Sequence, residues 1–170
     1  MSGLEHLWAG WRGAYVSGVA TAPEPDPASG ECLFERILAP GQDEAHYVVW
    51  RGGRSAVVLN AYPYTSGHLM VAPLRHVGEL EDLEASESSD LWSSVTLAVR
   101  ALKSAYGPGG VNIGVNLGRA AGAGVPGHLH VHVLPRWNGD TNFMTTVAGV
   151  RVLPETLSDS WAKLRDAWPS

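Results

Sequence analysis

The sequence predicts an α+β protein: an antiparallel sheet of about five strands, with one long helix and a C-terminal helix. Three observations carry this. The β-rich runs HYVVWR and SAVVLN flank Gly52-Gly53, a hairpin signal. Two further strand-like runs, GHLMVAP and VNIGVNLG, and an alternating histidine run share the same character. Between them, Leu91, Val95, Ala98, Leu102 and Ala105 fall on one helical face from about Ser86 to Tyr106, and GPGG stops that helix.

In chain order, Trp8, Trp11 and Tyr15 recur at helical spacing, so residues 3–18 read as a short amphipathic helix or arm. TAPEPDPASG, residues 21–30, has three prolines and no periodicity, as a linker does. Residues 1–30 are therefore an arm and linker, and 31–170 the folded domain. The strands and long helix follow, then a glycine-rich loop, GRAAGAGVPG, the histidine run, MTTVAGVRVLP and a helical segment at 155–168. Hairpin-joined strands with one helix inserted place the helices on one side of the sheet. The acidic run ELEDLEASESSD, 79–90, reads as a solvated lead into the helix, His6 and His46 as isolated, and Trp161 and Trp168 as packing on the domain or a second subunit.

A chain of 170 residues is long enough for one real core. Its net charge of -5, with no basic stripe, argues against nucleic acid as partner. No apolar run reaches membrane-span length, and Glu5, His6 and Arg12 interrupt any signal-peptide core. The single cysteine, Cys32, excludes an internal disulfide. By elimination these features suggest the cytoplasm.

GVPGHLHVHVLPRW, residues 124–137, carries the chemistry. A strand sends alternate side chains to opposite faces, so Leu129, Val131 and Val133 point into the core. His128, His130 and His132 point the other way, about 7 Å apart, and Pro135 ends the strand. Polar positions on a half-buried strand would use Thr, Ser or Lys rather than three imidazoles. Two chemistries remain: a strand-borne metal site, and nucleophilic attack on phosphorus by a neutral imidazole. Residues 91–139 contain no acid to complete a metal site, and the glycine loop offers amides suited to anionic oxygens.

HLHVHVLPR resembles the motif of the histidine triad (HIT) family. NAYPYTSGH, Asn60 to His68, is similar to its earlier Asn…Gly-His element. The resemblance runs from Cys32 to about Leu153. NLG before the loop and HVLPRW after it are most similar to the bacterial diadenosine tetraphosphate phosphorylases, and next to the Fhit-like dinucleoside polyphosphate hydrolases. The family resemblance implies the following roles. His130 is the nucleophile. His132 lies near the scissile phosphate and its leaving oxygen, His128 orients the middle ring partly through its carbonyl, and His68 supports them from an adjacent strand. Leu33, Phe34 and Ile37 pack on the base, Asn60 contacts the ribose, and Asn116 with Gly122, Ala123 and Gly124 lies beside the phosphates. Trp137 matches an aromatic near the site. A homodimer built on the long helix and a strand is also implied.

Two departures stand out. The loop Ala121 to Gly127 has no side-chain donor where many members carry Ser, Thr or Gln, which leaves the task to backbone N–H groups. Many bacterial members also carry Cys-x-x-Cys for a structural zinc. This chain reads CLFE, so the implied set is Cys32, Glu35, His76 and His128.

The expected activity is nucleotidyl transfer from a dinucleoside polyphosphate through a nucleotidyl-His130 intermediate, with phosphate as second acceptor, giving ADP and ATP from diadenosine tetraphosphate. Arg119 or Arg136 would help to hold that phosphate. No cofactor is required, a divalent cation on the polyphosphate being allowed. The alternatives are a hydrolase of the same substrates or of adenosine phosphoramidates, and a non-enzymatic nucleotide sensor.

Overall fold

The computed structural model describes residues 32–140 and 154–169. The expected arm helix at 3–18, the linker at 21–30, His6, Trp8, Trp11 and the run 144–153 lie outside the described residues.

The elements are α1 (Leu33–Ile37), β1 (Val48–Arg51), β2 (Ser55–Leu59), β3 (Leu69–Pro73), α2 (Ala85–Tyr106), β4 (Gly110–Val115), β5 (Val131–Arg136) and α3 (Leu157–Asp166). The five strands form one antiparallel sheet in the order β1-β2-β3-β5-β4. The α+β expectation holds. β3 and β5 are neighbours although α2 and β4 separate them in sequence, and this crossover brings residues 68–73 beside residues 131–133.

The strand period of two divides the apolar residues between two faces. Val57, Leu59, Leu69, Val71, Val131 and Val133 pack with Leu91, Val95, Ala98 and Leu102 of α2. Truncating one of these helix leucines to alanine would cost about 2–5 kcal/mol. The alternate residues Ala56, Val58 and Ala72 pack with Phe34 of α1. Helices therefore lie on both faces, not one: the five-residue α1 is too short for a periodic signal, yet its single buried phenylalanine closes the second face.

The helix ends follow local chemistry. Glu87 accepts the backbone N–H of Glu84 at 3.0 Å and pairs through both carboxylate oxygens with Arg75 at 2.7 and 2.6 Å. This glutamate is buried, so the acidic run is not wholly a solvated surface. Asp90 likewise turns inward to accept Ser55 Oγ at 2.5 Å. Gly107 ends α2 with φ +52°, a left-handed conformation that glycine adopts at little cost, and donates to Lys103 O at 3.1 Å. At α3, Thr156 accepts the Asp159 N–H. Trp161 Nε1 donates to Val48 O at 2.9 Å, and Trp168 stacks on Trp50, so these two tryptophans pack on the domain.

Candidate active site

The site lies on the α1 face, where β5 meets β3. The strand begins only at Val131 and continues through Pro135, which pairs with Val111, to Arg136. Proline thus does not end it, and His128 and His130 precede it. Leu129, Val131 and Val133 enter the core as expected. The three histidines lie on the other face but are buried rather than exposed, and the rings of His130 and His132 are 5.0 Å apart. Phe34 forms a floor beneath two of them, 5.0 Å from His128 and 5.1 Å from His130.

Main-chain groups determine where each ring carries its proton. His130 Nδ1 lies 2.8 Å from the carbonyl of His128. A carbonyl only accepts, so Nδ1 holds the hydrogen and Nε2 presents a lone pair. His128 Nε2 donates in the same way to Pro73 O at 2.9 Å, which leaves its Nδ1 as the acceptor. On the other flank the Tyr64 N–H donates to His68 Nδ1 at 3.1 Å. His68 therefore carries its proton on Nε2 and donates it to His132 Nδ1 at 2.9 Å. In turn His132 keeps its hydrogen on Nε2. Asn60 completes the set: its Oδ1 accepts the Tyr62 N–H at 2.9 Å, and its Nδ2 lies 3.3 Å from His68 Nδ1.

Burial favours the neutral form of His128, His130 and His132. Burial lowers the pKa of His128 and His130, against the opposing pull of the carbonyls they bond. Burial, then the neighbouring His130, brings His132 to about 4. A neutral Nε2 lone pair on His130 is a competent nucleophile, and an Nε2–H on His132 is a donor.

The other expected residues are dispersed around this centre. Leu33 is exposed, Phe34 buried and Ile37 half-buried against the second core. Asn116 follows Val115, the partner of Val131, at the end of the sheet where His130 leads into β5. In the loop the N–H groups of Ala121, Gly122 and Ala123 are engaged with carbonyls of Gly118 and Arg119 at 2.9–3.3 Å. Gly124 borders open space. Trp137 sits edge-on to Tyr106 at 6.2 Å. Arg136 is held by both oxygens of Asp140 and by Asn112 Oδ1 at 2.8 Å. His46 bonds Gln42 at the surface. Sequence reasoning missed Tyr64 and Pro73, because a backbone N–H or carbonyl leaves no mark in residue type.

A second cluster adjoins the first. One donor atom each from Cys32, His76 and His128 lies within 4.8 Å of the others. Cys32 Sγ is 3.2 Å from the unprotonated His128 Nδ1. Glu35 falls outside this trio and instead contacts His76 Nδ1 at 3.2 Å. The donors fit a divalent soft metal: one thiolate and two imidazoles, one ring anchored through its remote N–H to a carbonyl and the other oriented by a carboxylate. Among the described residues no helix is long and apolar enough to cross a membrane.

Comparison with known proteins agrees with this geometry. Residues 42–139 match the HIT domain. An AP-4-A phosphorylase of Mycobacterium tuberculosis is 41% identical over 97% of this chain and 85% of that protein. The asymmetrical bis(5'-nucleosyl)-tetraphosphatase of Schizosaccharomyces pombe is 39% identical over 55% of this chain and 50% of its own length. A zinc-bound histidine triad family protein from Mycobacterium smegmatis superposes with a TM-score of 0.67 at 29% identity, over 82% of this chain and 94% of that one. On its matching domain, its relatives and its fold, the chain belongs to the HIT-domain family.

Proposed function

We propose that the protein cleaves dinucleoside polyphosphates by nucleotidyl transfer to His130, and that inorganic phosphate is the second acceptor. The observation that carries the reading is the bond from His130 Nδ1 to the His128 carbonyl, which turns the Nε2 lone pair outward. With diadenosine tetraphosphate, Nε2 attacks the α-phosphorus. A P–N bond forms, the bond to the bridging oxygen breaks, and ATP leaves. His132 Nε2–H stabilises or protonates that oxygen, with His68 holding it in place. Phosphate then attacks the same phosphorus, the P–N bond breaks, and ADP forms. Leu33, Phe34, Ile37 and Asn60 are assigned to the nucleoside; Asn116, Gly122, Ala123 and Gly124 to the phosphates; Trp137 to the rim. The identity with the mycobacterial phosphorylase over nearly the whole chain supports the acceptor assignment.

The test is a product assay with and without labelled phosphate. The expected result is ADP and ATP, with label in the ADP. AMP and ATP, unchanged by added phosphate, would make the protein a hydrolase. Two observations favour that second reading: Arg136 is held by Asp140, and three loop amides are engaged within their own turn.

The reading extends to three further points. Zinc is assigned to Cys32, His76 and His128, where it supplies structural cross-linking rather than chemistry. A homodimer is assigned to the long helix α2 and the β4 edge, the last strand of the sheet, where Ile113 is 48% exposed. A dimeric parent and a monomeric Ile113→Lys variant in sedimentation test it, and a monomeric parent would refute it. A cysteine kept reduced to hold zinc suits a reducing, cytoplasmic compartment. Fractionation of the source cells checks this assignment, and recovery outside the cytoplasm would overturn it.

A further inference from the structure

We propose that Tyr106 is a positioning residue for His68: its ring, tethered by Glu155, supports the backbone of Gly67 and so fixes the hydrogen-bond chain from Tyr64 through His68 to His132. This rests on the nucleotidyl-transfer reading of the same site and adds to it a support from the α2 face of the sheet.

The loop of residues 60–68 has two sides. Towards the α1 face it delivers His68, whose Nδ1 accepts the Tyr64 N–H at 3.1 Å. Towards α2, Gly67 lies directly against Tyr106, the last residue of that helix. A Cβ on Gly67 would stand 2.7 Å from Cε2 and 3.1 Å from Cζ of Tyr106, and 3.2 Å from Leu102 Cδ2. Gly67 also has φ +75°, in the left-handed region. Glycine alone lets the chain approach the ring this closely and then turn into β3. Gly67 and His68 share a planar, stiff peptide bond, so a shift of one reorients the other.

Tyr106 is itself held. Its hydroxyl donates to Glu155 Oε1. Glu155 also accepts Ser160 Oγ at 2.7 Å and Lys163 Nζ at 2.5 Å, both from α3. Lys163 Nζ further lies 4.7 Å from the centroid of the Tyr106 ring. Burial, and then the bond to Glu155, raises the pKa of Tyr106, so the phenol remains a donor. Burial opposes ionisation of Glu155, but the bonds from Lys163, Tyr106 and Ser160 outweigh it and lower its pKa. A bond from a neutral phenol to an ionised carboxylate is charge-assisted and strong. The end of α2, the loop that carries His68 and α3 therefore meet at one ring.

Without that ring the loop can sink towards α2, and the bond from Tyr64 to His68 lengthens. His68 can then carry its proton on Nδ1, and His132 Nδ1 loses its donor. The His132 tautomer with hydrogen on Nε2, the one that faces the leaving oxygen, becomes less populated.

The experiment reads kinetics and histidine ring spectra together. Tyr106→Leu is expected to lower kcat about tenfold or more, as small misplacements of a reacting group do, with KM within about twofold. Tyr106→Phe keeps the ring on Gly67 and should recover most of the loss. In His68→Phe the same Tyr106→Leu change should add nothing, because its effect runs through His68. An equal further loss in that background would mark general destabilisation and overturn the inference. So would a rise in KM with kcat unchanged, which would place Tyr106 at the rim with Trp137, whose ring is 6.2 Å away. Should Tyr106→Leu fail to fold, Glu155→Ala unties the hydroxyl and leaves the ring. It should lower kcat to a smaller extent in the parent and not at all in His68→Phe, and a drop in both would be equally fatal. Nitrogen-15 spectra of the histidine rings separate the support from the reaction. In Tyr106→Leu or Glu155→Ala the His68 and His132 signals should move towards the Nδ1–H tautomer. Those of His130, anchored on the His128 carbonyl, should stay in place. Moved signals in a protein that turns over no dinucleoside polyphosphate defeat the reaction but not the support. Unmoved signals in an active protein defeat the support alone.

Discussion

The backbone N–H of Tyr64 lies 3.1 Å from Nδ1 of His68, and the opposite nitrogen of that ring lies 2.9 Å from His132 Nδ1. A main-chain donor, which cannot change its own protonation, thus fixes the proton positions of two rings in succession. His68 acts through His132 and is a positioning residue. His68→Phe is expected to lower kcat about 10–100-fold with KM little changed. Glutamine can accept from Tyr64 and donate to His132, so His68→Gln should recover much of the loss. Steady-state kinetics of the pair decide it, and a His68→Phe rate equal to the parent's would refute the role.

His130→Asn removes the nucleophile and leaves Phe34 and its surroundings in place. Turnover should fall by about 10⁴-fold or more, while nucleotide affinity stays within a few-fold of the parent. Labelled adenylate trapped on the parent at acid-quenched time points, and not on the variant, identifies the residue directly. A variant retaining a tenth of the rate would exclude a covalent role.

Acid should weaken the fold in two separate windows. His132 is lowered to about 4 by burial and by His130, whereas in the unfolded chain it titrates near 6.5. Between those values the unfolded state binds more protons, so stability falls as pH drops from 6.5 to 4 and this contribution then levels off. Glu87 is lowered to about 2, first by its hydrogen bond with Arg75 and then by the Glu84 N–H. Its contribution is full above the ordinary glutamate range and is lost as pH falls towards 2. Urea midpoints measured from pH 7 to 2 should show both slopes. His132→Gln should make the upper one shallower, the buried His128 and His130 sharing the rest of it, and Glu87→Gln should do the same to the lower. A midpoint constant from pH 6.5 to 4 would contradict the burial of His132.

The metal assignment predicts one equivalent of zinc per chain after loading and dialysis, and less than a tenth of that in Cys32→Ala. Chelation should lower Tm while leaving residual turnover of the folded fraction, because His130 needs no metal to present its lone pair. Glu35→Gln should retain the zinc, since Glu35 contacts His76 and stands outside the three converging donors. Elemental analysis and calorimetry read these outcomes. Zinc lost equally in Glu35→Gln and Cys32→Ala would make Glu35 a ligand after all.

Much of this arrangement was legible before any coordinates. Strand periodicity placed Leu129, Val131 and Val133 in the core, and helical periodicity located α2, because both report burial averaged over several residues. The family motif brought His68 and the histidine run together in the reading, and the β3–β5 pairing does so in space. What escaped notice were single events. One phenylalanine in a five-residue helix covers the second face. Glu87 and Asp90 turn inward from a run that looks uniformly solvated, because Arg75 and Ser55 wait to receive them. Such pairings depend on where a distant strand or turn arrives, and no local pattern encodes that.

The neighbouring positions of β3 and β5 have a kinetic consequence. His68 and His132 are 64 residues apart, and their hydrogen bond can form only after the intervening chain has closed into a loop. Closing so long a loop is entropically costly, and contacts of this separation form slowly compared with the β1–β2 hairpin. A nascent chain that has folded its hairpin and its long helix still has no active site. Catalytic competence should therefore appear together with the last central strand pairing in refolding, after helix content has been largely regained, and its loss on heating should coincide with global unfolding.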